Sequence, residues 1–224
     1  MTSLMPVHNR LLGELPGRAF TRIRNECELI DLMAGDVLYE PGERIRDVYF
    51  PTQSVVSLVA KAGRDASLEV ALVSDEGMIG IPLLLGGDSK PLRVLVQSSG
   101  TAWRMQAETF KRMTDTQRAL REALNKYALA RLAQVAQNAI CANAHSTEAR
   151  LARRLLMIQD RSHSDEIRAT QDSLASMLGV RRTTVTLLAI SFQQRNIIQY
   201  VRGTLTVLDR GGLKKISCEC YRRV

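Results

Sequence analysis

Residues 170–190, TQDSLASMLGVRRTTVTLLAI, constrain this chain more than any other stretch. They read as two short helices joined by a tight turn. Leu174, Ala175 and Leu178 fall on one face of the first helix, and Gly179 accepts the positive φ that a sharp bend needs. Val180 plugs the inside of the bend, and small Ala175 lets the two helices approach closely. Val185 and Leu188, six and nine positions after the glycine, form the buried side of the second helix. That order of small, glycine and apolar residues is what a helix-turn-helix requires. The exposed side of the second helix then carries Arg181, Arg182, Thr183 and Thr186. Arginine bridges guanine O6 and N7, and threonine reaches a base or a thymine methyl. The pattern implies a helix built to enter the major groove of double-stranded DNA.

Charge placement agrees. The chain has a formal charge of +8, and residues 145–224 hold 14 Lys/Arg against 7 Asp/Glu. Residues 1–144 hold 17 against 16, so nearly all the excess lies on the part containing the helix-turn-helix. A basic surface that coincides with a base-reading helix is the footprint of phosphate attraction.

Other classes are disfavoured. There is no run of about eighteen apolar residues, so no membrane span is expected, and the start MTSLMPVHNRLLGELPG lacks the apolar core of a signal peptide. A cytoplasmic protein is therefore expected. Cys27, Cys141, Cys218 and Cys220 lie too unevenly for a disulfide framework. Cys218-Glu219-Cys220 is a C-x-C open to metal binding or oxidation, a weak signal with no sequence-adjacent His or Cys, and His8, His145 and His163 show no ligand spacing. No metal site is assigned from sequence, and the cofactor is unknown. No nucleophile elbow, Walker loop, HExxH or paired-carboxylate arrangement appears, so no enzyme is expected and no catalytic residue is assigned.

The first third alternates short apolar runs with turn residues. Val37–Tyr39, Val48–Phe50, Val55–Val59, Leu68–Val73, Val94–Gln97 and Thr101–Met105 read as strands of an antiparallel barrel or roll, after a short helix near Pro16 to Arg24. From Thr116 to Ala142 there is no Gly or Pro and the period becomes helical. Leu120, Leu124, Tyr127, Ala128, Leu132, Val135 and Ala139 recur at three- and four-residue steps along one stripe. That stripe is expected to pack on a twin helix in a homodimer, a face against the roll being the alternative. Ser146 or Thr147 caps a further helix through Arg161, and Thr170 caps the first motif helix after a polar loop from Ser162 to Ala169. Arg195-Asn196 is a left-handed stop. Ile198–Tyr200 and Thr204–Val207 then flank Arg202-Gly203 as a tight hairpin, a wing whose tip Arg202 meets the DNA backbone or minor groove.

In this order the chain resembles the Crp/Fnr family of bacterial transcription regulators, over residues 12–213. The most specific pieces are LYEPGERIRDVYF, TQDSLASMLGVRRTTVT and RGTLTVLDRGGL. The resemblance implies an α+β fold: an N-terminal antiparallel β-roll of the cyclic-nucleotide-binding type (residues 12–115), a dimerisation helix (116–142) and a C-terminal winged helix-turn-helix (145–213), followed by a tail (214–224). It further implies a homodimer on a palindromic operator, an effector sensed by the roll, and RNA polymerase as a partner. The DNA-contacting set is then Thr170, Gln171, Arg181, Arg182, Thr183, Thr184, Thr186 and Arg202. A ligand-binding sensor acting through protein partners or RNA is the alternative function.

Departures from the family pattern are informative. In EGMIGIPLLLGGDSKPLRV, Gly80 matches the phosphate-cassette glycine, but Ile81 replaces the glutamate that holds the ribose. Isoleucine accepts no hydrogen bond, and each buried hydroxyl left unpaired costs about 1–3 kcal/mol. Lys90 or Arg93 stands nearest to the phosphate-pairing arginine. Gly80, Ile81, Leu83, Lys90 and Arg93 therefore mark the candidate effector pocket, while cyclic AMP is disfavoured; Ile81 and Leu83–Leu85 read equally as core. The family's cysteine-rich iron–sulfur cluster has only Cys27 near the start. In the reading head Arg182 falls on the guanine-contacting arginine, Thr184 on a phosphate-touching threonine, and Thr183 replaces a glutamate that accepts from cytosine. Leu187 takes a place often held by another arginine, and Arg181 replaces a serine N-cap.

Overall fold

The computed structural model describes residues 8–62, 66–89, 92–162 and 164–223, which form two compact units. The first comprises the described residues to Leu58 together with Leu72–Ala133; the second comprises Val59–Ala71 and the chain from Gln134 onward. Lys90 and His163 lie outside the described residues.

The first unit opens with α1 (Arg10–Gly13) and α2 (Gly17–Asn25). Asn9 caps α1 by accepting from the Leu12 amide at 3.0 Å. Its Nδ2 donates to the carbonyls of Pro51 and Gly77 at 2.8 and 2.9 Å. Pro16 starts α2, where its fixed φ suits a helix entry. The strands are β1 (Glu28–Leu32), β2 (Val37–Tyr39), β3 (Asp47–Pro51), β4 (Val55–Ala62), β5 (Ala66–Val73), then the short helix α3 (Ile81–Leu84), then β6 (Arg93–Ser98) and β7 (Gly100–Gln106). They form two sheets, in the orders β1-β7-β3 and β2-β6-β4-β5. The pairs β1–β7, β3–β7 and β2–β6 are antiparallel, with Phe50 opposite Trp103 and Leu29 opposite the same residue on the other side. Phe50, Ile23, Met105 and Phe110 are fully enclosed at the core.

Two elements here differ from the sequence expectation. β1 was not foreseen: most of ELIDL faces outward, so no alternation marks it, and pairing with β7 alone defines it. Helical structure also begins earlier than Thr116. α4 (Ala107–Thr116) buries Phe110 and Met113, and Gln117, at φ −111° and ψ 91°, breaks the chain before α5 (Arg118–Ala144).

The second unit contains the end of α5, then α6 (Thr147–Ser162), β8 (Glu166–Arg168), α7 (Gln171–Leu178), α8 (Arg182–Gln194), β9 (Ile198–Val201), β10 (Thr204–Val207), α9 (Arg210–Ile216) and a 3-10 turn over Glu219–Arg223. Ser146 caps α6, its hydroxyl accepting from the Ala149 amide at 3.3 Å. The expected loop from Ser162 to Ala169 contains a strand, β8, so the wing has three strands in the order β8-β10-β9. Three residues with only Ile167 buried are too short for a periodic signal. Among the described residues, no helix is long and apolar enough to cross a membrane.

Candidate nucleic-acid interface

Thr170 caps α7, its Oγ1 accepting from the Ser173 amide at 3.0 Å. Gly179 ends the helix at φ 65°, and the Val180 amide reaches back to the Ala175 carbonyl at 3.0 Å. This closes the turn and aims α8. The inner side of α8 is Val185, Ala189 and Phe192, spaced four and three apart. Leu188, expected on that side, is only half-buried, because Ala189 takes the central position and Phe192 fills the volume. Val180 is likewise half-buried.

Arg181, Arg182 and Thr183 are exposed at the start of α8, with Thr186 half-buried one turn on. No side chain caps α8 at Arg181. Arg182 pairs with Asp172 at 3.5 Å, both side chains about two-thirds exposed (65% and 67%). Such a pair is screened and weak, so it yields readily to a stronger acceptor. Thr186 donates to Gln171 Oε1 at 2.6 Å, which joins α7 and α8 on one surface. Thr184 is half-buried, its amide donating to the Arg181 carbonyl at 3.0 Å. Leu187 is 68% exposed, an apolar residue on the same outward surface.

At the wing tip Arg202 and Gly203 both have positive φ, 48° and 83°, as a two-residue turn that follows strand twist demands. Arg202 is exposed there, and Asn196 at φ 54° ends the segment after α8 as anticipated. The third strand brings an unforeseen cation: exposed Arg168 on β8 sits opposite Thr204, beside the tip. The Tyr200 hydroxyl and the Ala169 amide anchor β8 to the hairpin, donating to the Ala169 and Gly203 carbonyls at 2.8 and 2.9 Å.

The distal half of the β4–β5 hairpin belongs to this unit. Ser67 hydrogen-bonds Ser176 of α7, Leu68 lies against Gly179, and Glu69 pairs with Arg154 of α6. Arg150 meanwhile donates to the Leu178 carbonyl at the end of α7. Nothing in the sequence spacing pointed to hairpin residues packing under the turn of the reading head.

The stripe expected to face a twin helix is divided. Leu120, Leu124 and Tyr127 are buried in the core of their own unit, so the side chains of these three are not available to a second chain. Tyr127 is held there by donating to the Met78 carbonyl at 3.2 Å and accepting from Arg131 at 2.6 Å. Leu132 remains 67% exposed and Val135 half-buried. The uncovered apolar line is instead Leu129, Leu132, Ala133, Ala136, Ala139 and Ile140. Apolar character around the whole helix hid this, since one face is used internally and another is left open.

In the candidate effector region, Gly80 has φ 115° and an added Cβ would lie 2.6 Å from Val48 Cγ1. The glycine thus serves close packing of α3. Leu83 is core and Ile81 packs against it, whereas Leu85, read as possible core, is 70% exposed. Arg93 pairs with Glu40 at 3.0 Å.

Comparison with known proteins agrees with this architecture. Residues 29–117 match the cyclic nucleotide-binding domain model, and residues 149–216 match the Crp-like helix-turn-helix domain model. Similar solved structures include the c-di-GMP responsive global regulator CLP of Xanthomonas campestris (14% identity, 87% of this chain and 100% of that one, TM-score 0.71). FixK2 from Bradyrhizobium japonicum is also similar (13% identity, 86% and 98%, TM-score 0.71). So is a CRP/FNR-family transcriptional regulator from Thermus thermophilus (21% identity, 85% and 98%, TM-score 0.66). No curated protein matches the chain in sequence. With a cyclic nucleotide-binding domain followed by a Crp-like reading head, the chain belongs to the Crp/Fnr family of DNA-binding transcription regulators.

Proposed function

We propose that this regulator binds a palindromic DNA operator as a homodimer and that its N-terminal unit controls that binding. The observation that carries the reading is the outward surface of α8: Arg181, Arg182 and Thr183 exposed on a capped helix-turn-helix, with Arg202 at the wing tip. Arg182 reads guanine, Thr183 and Thr186 face neighbouring bases, and Thr170, Gln171, Thr184 and Arg202 serve the backbone. Without a carboxylate at position 183, preference at one cytosine is relaxed.

Support for a second copy comes from α5. Leu129, Leu132, Ala136, Ala139 and Ile140 recur at three- and four-residue steps, uncovered, and small alanines permit close helix approach. A self-complementary seam of this kind also supplies the two reading heads that a palindrome needs. Control by the N-terminal unit has two covalent routes, α5 and the β4–β5 hairpin, whose residues are shared between the units. Cyclic AMP is disfavoured as the effector: Ile81 offers the ribose no acceptor, and Arg93 is paired with Glu40.

Selection of the purified chain on random duplex DNA tests this. Recovery of a two-fold symmetric site, with half-sites about 10 bp apart, is expected. Enrichment of an asymmetric single half-site would remove the dimer, and failure to enrich any duplex sequence with or without candidate effectors would remove the reading altogether.

A further inference from the structure

The C-x-C, by itself only a weak metal or redox signal, does not stand alone in space. Cys141, on the last turn of α5, meets Cys218 and Cys220 behind α9, and all three sulfurs lie within 4.8 Å of one another. The Cys141 and Cys218 sulfurs are 3.6 Å apart, and His145 Nε2 lies 3.3 Å from Cys220 Sγ. All three cysteines are free thiols and buried, at 2%, 8% and 2% exposure. We propose that Cys141, Cys218, Cys220 and His145 form a thiolate-rich site for one divalent transition-metal cation of the zinc class.

The gathering of three thiols and an imidazole carries the proposal, and the distances are compatible with it. With Zn–S near 2.3 Å and Zn–N near 2.0–2.1 Å, tetrahedral geometry sets sulfur–sulfur edges of about 3.7 Å and sulfur–nitrogen edges of about 3.5 Å. The observed 3.6 and 3.3 Å already lie close to those edges. Three sulfurs and an imidazole select zinc or its soft neighbours over magnesium or calcium, which require oxygen donors. The ligand spacing is compact on both sides: Cys141 and His145 are one helical turn apart, and Cys218 and Cys220 flank a single residue. Outer partners are present too. Gln137 Nε2 donates to Cys220 Sγ at 3.1 Å, as an outer partner that orients a ligand does, and the Glu219 carboxylate lies 3.6 Å from His145 Nε2, so negative charge sits beside the site. Three sulfurs lie together, and His145, beside Cys220 Sγ, turns in as the fourth donor when the cation binds; a site closed by four protein donors is structural, and it clasps the segment after α9 to the end of the long helix.

The test uses the full chain, reduced and stripped of metal, titrated with Co²⁺ and then Zn²⁺. One equivalent of Co²⁺ is expected to give the intense visible bands of a tetrahedral centre and thiolate-to-cobalt charge transfer, both erased by Zn²⁺. Cys141→Ser and Cys218→Ser are each expected to weaken binding by on the order of a hundredfold or more, and His145→Asn to alter the visible bands. Cys27→Ser is expected to change nothing, since that thiol lies in the other unit. Because a serine variant can unfold, the wild-type chain supplies a second readout: Zn²⁺ is expected to protect three of its four thiols from alkylation. Absence of charge transfer at stoichiometric cobalt overturns the proposal. So does charge transfer that survives in the Cys141→Ser/Cys218→Ser double variant, or rapid Cys141–Cys218 disulfide formation in a chain that takes no cobalt.

Discussion

Glu69 on the β4–β5 hairpin and Arg154 on α6 form an ion pair whose side chains are only 6% and 7% exposed. Burial lowers the arginine to about 10, against the opposing pull of Glu69. Removing one partner of such a pair strands a charge away from water, which costs about 3–5 kcal/mol, whereas an apolar pair of similar size is often neutral. Glu69→Gln is therefore expected to lower urea-unfolding stability by about that amount, and Glu69→Leu with Arg154→Met to recover most of it. Equal losses in the single and double variants would show that the pair does not hold the hairpin.

A second close relationship ties α5 to the loop after β5. A Cβ at Gly77 would lie 2.2 Å from the Tyr127 hydroxyl, which is engaged with Met78 and Arg131. Gly77→Ala is expected to displace Tyr127 and to cost about 1–3 kcal/mol by overpacking. Thermal unfolding measures it, and an unchanged midpoint would mean that the tyrosine repacks freely.

How much was legible in the sequence depended on the range of the interaction. Thr170 acts through its hydroxyl on the amide three residues on, and Gly179, Asn196 and Arg202-Gly203 act through their own backbone, so caps and turns follow from local residue type alone. Burial on α5 could not. Leu124 and Leu132 look alike in a periodic stripe, yet one is fully buried and the other 67% exposed. That choice is made by what packs alongside, 50 residues away in the case of Tyr127 and Gly77. The cysteine cluster was invisible for the same reason, since Cys141 and Cys218 are 77 positions apart.

Arg182 and Arg202 are expected to differ in kind. Arg182→Ala should cost about 1–3 kcal/mol on the selected operator and blur one base position. Arg202→Ala should weaken all duplex sequences alike and reduce the slope of log K against log salt by about one unit. Fluorescence anisotropy on the operator and on scrambled DNA across a salt series separates them. Identical behaviour of the two variants would mean that α8 does not read bases.

Two leucines on α5 discriminate the interface from the core. Leu132 is exposed within one chain, so Leu132→Glu adds a solvated charge and leaves the fold of the single chain intact. In a homodimer two such charges face each other across an apolar seam, where like-charge repulsion and desolvation act together. The variant is expected to sediment as a folded monomer and to lose affinity for the full palindrome by at least about tenfold, since the second head no longer binds at high effective concentration. Leu124 is 0% exposed in the core of its own unit, so Leu124→Glu is expected to unfold the chain instead. A Leu132→Glu chain that still sediments as a dimer would move the seam to another face of α5, and a folded Leu124→Glu chain would mean that this leucine does not belong to the core.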